Sequence, residues 1–199
     1  LSKKKGDQKR WGAFAKDPVR YYCPPWERDV DVCFVTESKV PTWNPLLDPG
    51  SIKRKASAPA TEKPYGNEYF AGPGETIEEN TRGDDSRVIM DRAVPFIRQA
   101  VKEEKTFLAV IWFHTPHSPV VGGPEHRATY ADRPENEQHY YACITAMDEQ
   151  VGRLRDELAK LDVANDTMLW FCSDNGPARQ GSPRHVGSAK HLKGYKLSL

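Results

Sequence analysis

The sequence predicts an α/β fold in which a mostly parallel sheet is flanked by helices. Two runs, residues 106–113 and 167–172, are almost continuously apolar, as is typical of strands covered on both faces in a parallel sheet. Between them, the apolar residues of 135–160 recur every three or four positions, which indicates an amphipathic helix. A strand, a helical connection and a second strand form a βαβ unit over residues 106–175, so we expect the two strands to be parallel.

The first half of the chain predicts fewer regular elements. Residues 31–36 are β-prone and indicate a short strand. Residues 41–83 contain six prolines and five glycines without apolar periodicity, and predict an irregular insertion. The Asp-Asp-Ser sequence at 84–86 supplies candidate N-caps for the helix that follows. Pro95 is expected either to kink that helix or to mark its true start.

The charge is balanced in total but not along the chain. The 199 residues carry a formal net charge of +1, so no overall excess predicts a nucleic-acid or membrane-surface partner. Residues 1–20 and 176–199 each carry +5, which leaves −9 between them. Solvated surface charge explains the first basic segment better than a site does, whereas the second could equally be an anion site. No run approaches 18 apolar residues, so no membrane span is predicted.

Polar side chains follow both predicted strands of the βαβ unit. The sequence His-Thr-Pro-His-Ser-Pro, which contains His114 and His117, comes after the first strand. Ser-Asp-Asn-Gly-Pro, which contains Asp174 and Asn175, comes after the second. Either motif alone is explained by a surface loop or a tight turn. Ligands of open α/β sheets bind outside the carboxyl ends of the strands, so the two motifs together, followed by a basic segment, predict a site.

These motifs resemble the sulfatase family of the alkaline-phosphatase-like superfamily. The resemblance is carried by FLAVIWFHTPHSP, LRDELAKL, TMLWFCSDNGP and HLKGYKLSL, which together span residues 107–199. TESKVPTWNP is also similar, more weakly, to a segment of some bacterial members. The resemblance implies an alkaline-phosphatase-like fold and a parent protein that hydrolyses sulfate monoesters. Sulfated small molecules or carbohydrates would be the substrates, with sugars the leading expectation.

The resemblance also implies roles for single residues. Asp174 and Asn175 match the pair that gives two oxygen ligands to the family's divalent cation, usually Ca²⁺, and hard oxygen donors suit that ion. His117 matches the histidine that contacts the sulfate ester and can assist the leaving oxygen. Lys196 matches the lysine that binds the sulfate, and Lys193 lies where relatives often have another base. His114, nearer the strand, is expected to be structural.

Two parts of the family's site are missing from the sequence. The nucleophile is a formylglycine made from Cys or Ser in Cys/Ser-x-Pro-x-Arg, and the near match that begins at Cys23 places Arg28 one position too late. We interpret it as a coincidence. Asp84 and Asp85 are interpreted as a helix cap rather than as the family's paired aspartate ligands. The sequence therefore predicts that residues 1–199 are part of one catalytic domain, truncated at both ends and inactive alone.

Two other functions remain open from the residues. One is a phosphoester or phosphonate hydrolase of the same superfamily, which uses similar Asp and His ligands. The other is a non-catalytic module that binds an anion or a sugar. Upstream sequence separates them, because Cys/Ser-x-Pro-x-Arg indicates a sulfatase. The resemblance further implies a periplasmic, secreted or lysosome-like location.

Overall fold

The computed structural model describes residues 24–36, 38–50, 63–178, 186–191 and 193–196. Within these ranges the chain forms three short strands, three α-helices and two 3₁₀ helices. The strands are β1 (Val35–Thr36), β2 (Tyr69–Gly72) and β3 (Glu75–Ile77). The α-helices are α1 (Asp85–Lys102), α2 (Pro124–Ala128) and α3 (Glu135–Lys160), and the 3₁₀ helices are Pro25–Glu27 and Ala164–Asp166. No described helix is both long enough and apolar enough to cross a bilayer.

The two predicted helices are confirmed. Helix α3 spans residues 135–160, as the apolar spacing predicts. Helix α1 begins directly after Asp84, whose side chain accepts a hydrogen bond from the Arg87 N–H at 3.2 Å. This is the geometry of an N-cap, so the interpretation of Asp84 is confirmed. Pro95 lies inside α1 and does not mark its start.

Helices α1 and α3 pack against each other around a small apolar core. Two ion pairs close the contact at its sides, Arg153 Nη1 to Asp91 Oδ1 at 2.6 Å and Arg98 Nη2 to Glu157 Oε2 at 2.7 Å. Burial of the apolar side chains of this core removes them from water, and this supplies most of the driving force for the packing of α1 against α3. The buried members of the core are Met90, Val94, Ile97, Leu154 and Leu158.

The sheet in the described part of the chain is antiparallel, in the order β1-β2-β3. Strand β1 falls at the end of the predicted strand 31–36, and its Val35 and Thr36 pair with Phe70 and Tyr69. The hairpin of β2 and β3 lies inside residues 41–83, where composition predicts no regular structure. Tyr69 of β2 is buried in a second apolar cluster with Val40 and Val88. This hairpin is therefore a folded part of the insertion.

The two apolar runs differ from their expected burial. Residues 106–113 and 167–172 have no strand partner among the described residues, and their outer side chains are exposed: Leu108 is 85%, Trp112 82% and Trp170 81% accessible. The expectation of cover on both faces is wrong for this structure. Phe107, Ile111 and Phe113 do pack on the α1–α3 core. A second covered face requires neighbouring strands, which the described residues do not supply, so the parallel pairing stays a prediction.

Candidate functional site

The first predicted site motif forms a loop fixed to the start of α1. We call residues 114–119 the histidine loop. The backbone N–H of Thr42 donates to Pro119 O at 3.1 Å, and the Thr42 hydroxyl donates to Val121 O at 2.8 Å. Thr42 is fully buried, and its own carbonyl accepts from the Asp85 N–H at 3.1 Å. One buried threonine thus ties the far end of the histidine loop to α1.

The near end of the histidine loop is held by its first residue. The Nδ1 atom of His114 lies 2.8 Å from Asp85 Oδ2, and its Nε2 atom lies 2.9 Å from the Thr36 hydroxyl. The Tyr69 hydroxyl donates to Asp85 Oδ1, and burial, together with the adjacent Asp85, raises the pKa of Tyr69. Both nitrogens of His114 are therefore engaged, which agrees with the structural role expected for it.

Sequence reasoning found the N-cap but missed the role of its neighbour. Asp84 is buried, and burial is the largest of the effects that raise its pKa to about 6. Asp85, which the sequence also assigns to the helix cap, is instead fully buried against Tyr69 and His114. Its partners lie 16 and 29 residues away along the chain. No local pattern reports such contacts.

His117 is exposed at the tip of the histidine loop. Its N–H donates to His114 O at 2.6 Å, and its Nδ1 lies 2.7 Å from Ser118 O. A carbonyl oxygen can only accept, so Nδ1 carries the hydrogen of this bond and Nε2 is the ring nitrogen left for other contacts. The geometry suits a group that transfers a proton at Nε2.

The second predicted motif forms a turn that we call the acidic turn, residues 173–177. The Ser173 hydroxyl donates to Asn175 O at 2.8 Å, and Asn175 Nδ2 donates to Gly176 O at 2.8 Å. The amide oxygen Oδ1 of Asn175 is thereby left as an acceptor. Asp174 and Asn175 are both exposed, and no ion pair of the described residues involves Asp174.

These two oxygens fit part of a calcium site. Carboxylate and amide oxygens are the donors that Ca²⁺ prefers, and the ion takes about six to eight of them. The described residues contain no group of three or more His, Cys, Asp or Glu that could hold a metal. Asp174 and Asn175 could therefore supply only a minority of the ligands that such an ion needs.

The segment with the predicted lysines lies against the acidic turn. The Lys196 N–H donates to Pro177 O at 2.8 Å, and a Cβ placed on Gly176 would lie 3.5 Å from Tyr195 Cα. Lys193 is exposed and Lys196 is half-buried. The structure thus joins the acidic turn and the Lys196 segment through their backbones, but no hydrogen bond among the described residues joins either to the His117 side chain.

The three cysteines that the structure describes differ in their exposure. Cys23 lies outside the described residues. Cys143 is buried, and burial raises its pKa to about 12, which disfavours the reactive thiolate. Cys33 donates to Ala71 O, and Cys172 lies in the exposed apolar run 167–172.

A concave pocket of about 320 Å³ is formed by residues that precede both motifs in the sequence. Its walls come from the insertion 41–83, including Asn44, Asn67 and Arg82. Polar groups of this kind can contact the hydroxyls of a sugar. The concavity is therefore a surface at which a polar ligand could bind.

Comparison with known proteins gives the family to which the motifs are similar. A family model described as Sulfatase matches residues 40–198. Arylsulfatase G of Rattus norvegicus is 33% identical over 90 residues, which cover 45% of this chain and 16% of the relative. The Ulvan-active sulfatase of Formosa agariphila is 29% identical over 105 residues, which cover 44% of this chain and 20% of the relative. The N-acetylgalactosamine-6-sulfatase of Homo sapiens is 27% identical over 109 residues, with 52% and 19% covered.

Solved structures share the fold. The crystal structures of Ps i-CgsB, alone and in complex with k-i-k-neocarrahexaose, each match with a TM-score of 0.64 at 22% identity. The match covers 78% of this chain and 34% of that chain. The chain thus spans about a third of the solved structure, and a fifth or less of these three curated relatives, at 16%, 20% and 19%.

Proposed function

The chain belongs to the sulfatase family, and from that premise we propose that the longer protein of which it forms a part hydrolyses sulfate monoesters. The observation that carries the proposal is the contact between the acidic turn and the Lys196 segment. The contact supports the proposal because it joins the segment that carries Lys196 to the turn that carries Asp174 and Asn175. A cation and a basic side chain together can stabilise the charge of a sulfate group.

Each site residue has a part in the proposed reaction. His117 protonates the leaving oxygen from Nε2, because its Nδ1–H is already held by Ser118 O. Lys196, together with Lys193, binds the outer sulfate oxygens, on which negative charge rests during transfer. Asp174 and Asn175 hold a divalent cation, with Ca²⁺ favoured by their oxygen donors. When bound, that cation neutralises charge on the sulfate.

The rest of the site is proposed to lie outside this chain. The formylglycine nucleophile and the remaining metal ligands belong to the upstream part of the longer protein. The exposed apolar runs 106–113 and 167–172 support this, because strands with bare outer faces and unpaired edges need neighbours. We propose that they are parallel strands of a βαβ unit, within a sheet that those neighbours complete.

Sulfated carbohydrates are the proposed substrates. The names of two relatives, the Ulvan-active sulfatase and N-acetylgalactosamine-6-sulfatase, support this class. The polar concavity of the insertion 41–83 offers a rim for a sugar. A secreted, periplasmic or lysosome-like location is proposed on the family resemblance.

The test uses the longer protein. Sulfate release from an aryl sulfate and from sulfated polysaccharides is measured beside phosphate release from the matching phosphate ester. We expect sulfate release, and a loss of at least about a hundredfold in Asp174→Ala or Lys196→Ala, because each removes one electrostatic stabiliser. Asp156→Ala and Lys160→Ala, on the exposed face of α3, are the matched controls. Preferred phosphate release would instead indicate a phosphoester hydrolase, and binding without turnover a non-catalytic module.

A further inference from the structure

We propose that Asp85 is a positioning residue for His117. It acts through His114 and through the backbone of Thr42, which together fix both ends of the histidine loop. The inference deepens the proposed function, since it rests on His117 as the group that assists the leaving oxygen.

The carboxylate of Asp85 is committed to this network. Asp85 is 0% exposed, and burying a carboxylate costs free energy unless its oxygens are paired and hydrogen-bonded. Oδ1 accepts from the Tyr69 hydroxyl, and Oδ2 lies 2.8 Å from His114 Nδ1. With Thr36 on its Nε2, the His114 ring cannot turn without losing two hydrogen bonds.

Both ends of the histidine loop trace back to Asp85. At the near end, the carbonyl of His114 accepts from the His117 N–H at 2.6 Å, so the position of His114 sets that of His117. At the far end, the Asp85 N–H donates to Thr42 O, and the Thr42 N–H donates to Pro119 O, both at 3.1 Å. His117 lies between two anchors that share one residue.

The neighbouring aspartate makes a matched control. Asp84 is also buried and also belongs to the start of α1, but its side chain accepts a hydrogen bond from the Arg87 N–H rather than from the histidine loop. Asp84→Asn keeps a capping side chain. In Asp85→Asn, one carboxylate oxygen becomes an NH₂ group that faces either the Tyr69 hydroxyl or the His114 Nδ1–H, so one of these donors loses its acceptor.

The leaving-group dependence of turnover separates positioning from mere structure. A sugar sulfate has a poor leaving group that needs a proton, whereas 4-nitrophenyl sulfate needs little help. In the longer protein, we expect Asp85→Asn to lower kcat for the sugar sulfate at least about tenfold more than for 4-nitrophenyl sulfate. His117→Ala should show the same selective loss, and Asp85→Asn should add nothing to that selectivity in the His117→Ala background. Asp84→Asn should leave the ratio of the two kcat values unchanged.

Equal losses on both substrates in Asp85→Asn would overturn the proposal, because fewer folded molecules lower both rates alike. Should Asp85→Asn fail to fold, Thr36→Val removes only the bond to His114 Nε2 and is expected to show a smaller selective loss. An unchanged ratio in Thr36→Val would then contradict the proposal.

A second measurement tests the positioning role independently of the proposed function. If the proposed function is wrong, the unaltered protein releases no sulfate. In ¹⁵N-labelled full chain, the ring resonances of His117 are followed against pH. Asp85→Asn or Thr36→Val should shift them and Asp84→Asn should not. Unshifted His117 resonances in both test variants would overturn the positioning role whether or not the protein turns over sulfate esters.

Discussion

The histidine loop and the acidic turn differ in how the chain holds them. The histidine loop is anchored by buried side chains, Asp85 and Thr42, through a network that reaches three separate parts of the sequence. The acidic turn is held by local bonds and one backbone contact to Lys196, and its Asp174 and Asn175 are exposed. One half of the proposed site is therefore anchored to the core of this chain, whereas the other half is held mainly by local hydrogen bonds at its surface.

The largest expected effect contrasts the two carboxylates directly. Asp85→Ala leaves the Tyr69 hydroxyl and His114 Nδ1 without their buried acceptor, and should lower the free energy of unfolding by about 3–5 kcal/mol. Asp174→Ala, at an exposed position, should change it by less than about 0.5 kcal/mol. Urea unfolding of the two variants measures both. Equal losses would show that the acidic turn is as much a part of the core as the loop.

Two buried residues, His139 and Asp84, are expected to make the free energy of unfolding depend on pH. Burial, the largest effect, and Arg127 lower the pKa of His139 from 6.5 to about 4, so its neutral form favours folding above pH 6.5 and this contribution is lost as the pH falls to 4. Asp84 has the opposite sign: burial raises its pKa from 3.8 to about 6, so folding is favoured as the pH falls from 6 to 3.8.

The two contributions oppose each other over nearly the same pH range and should largely cancel in the unaltered chain. Asp84→Asn should reveal a loss of about 2–3 kcal/mol between pH 7 and 4, and His139→Gln a gain of similar size. Unfolding free energies at the two pH values provide the check. If the unfolding free energy of a variant changes with pH as that of the unaltered chain does, the substituted residue does not contribute to the pH dependence.

Two glycines test the packing beside the histidine loop. A Cβ on Gly122 would lie 2.5 Å from Ala142 Cβ and 3.1 Å from His139 O, so Gly122→Ala should cost about 1–3 kcal/mol. Gly152 on α3 has open space around it, and Gly152→Ala should stabilise by about 0.5–1 kcal/mol. Melting temperatures should therefore move in opposite directions. A neutral Gly122→Ala would mean that α3 packs more loosely against residues 120–123 than the structure shows.

The smallest expected effect concerns the tryptophan fluorescence of the exposed apolar runs 106–113 and 167–172. Trp112 and Trp170 are 82% and 81% accessible, so acrylamide should quench their fluorescence in this chain nearly as well as that of a free tryptophan analogue. In the longer protein the proposed sheet would shield them. Trp112→Phe and Trp170→Phe assign the signal to each position. Protection already present in the chain alone would indicate that these faces find another partner.

The elements that the sequence predicts correctly are those whose formation depends on neighbouring residues. Helix α3 follows from the repeat of apolar positions, and α1 follows from an aspartate that caps its first turn. The site motifs were found from their position after the two predicted strands, and the resemblance supplied the residue roles. The family match confirms the family but not the role of any single residue. The hairpin of β2 and β3 was missed because its strands are four and three residues long and lie in a segment rich in proline and glycine.

Sequence by itself determined the helices, the family and the two motifs, because helical periodicity, capping and short motifs are written in neighbouring residues. Only the tertiary structure decided that Asp85 serves His114 rather than the helix cap, since that contact joins residues 29 apart. It also decided which faces of the apolar runs are covered. An apolar side chain is buried only where another part of the molecule meets it, and for Leu108 and Trp112 the described residues offer no such surface.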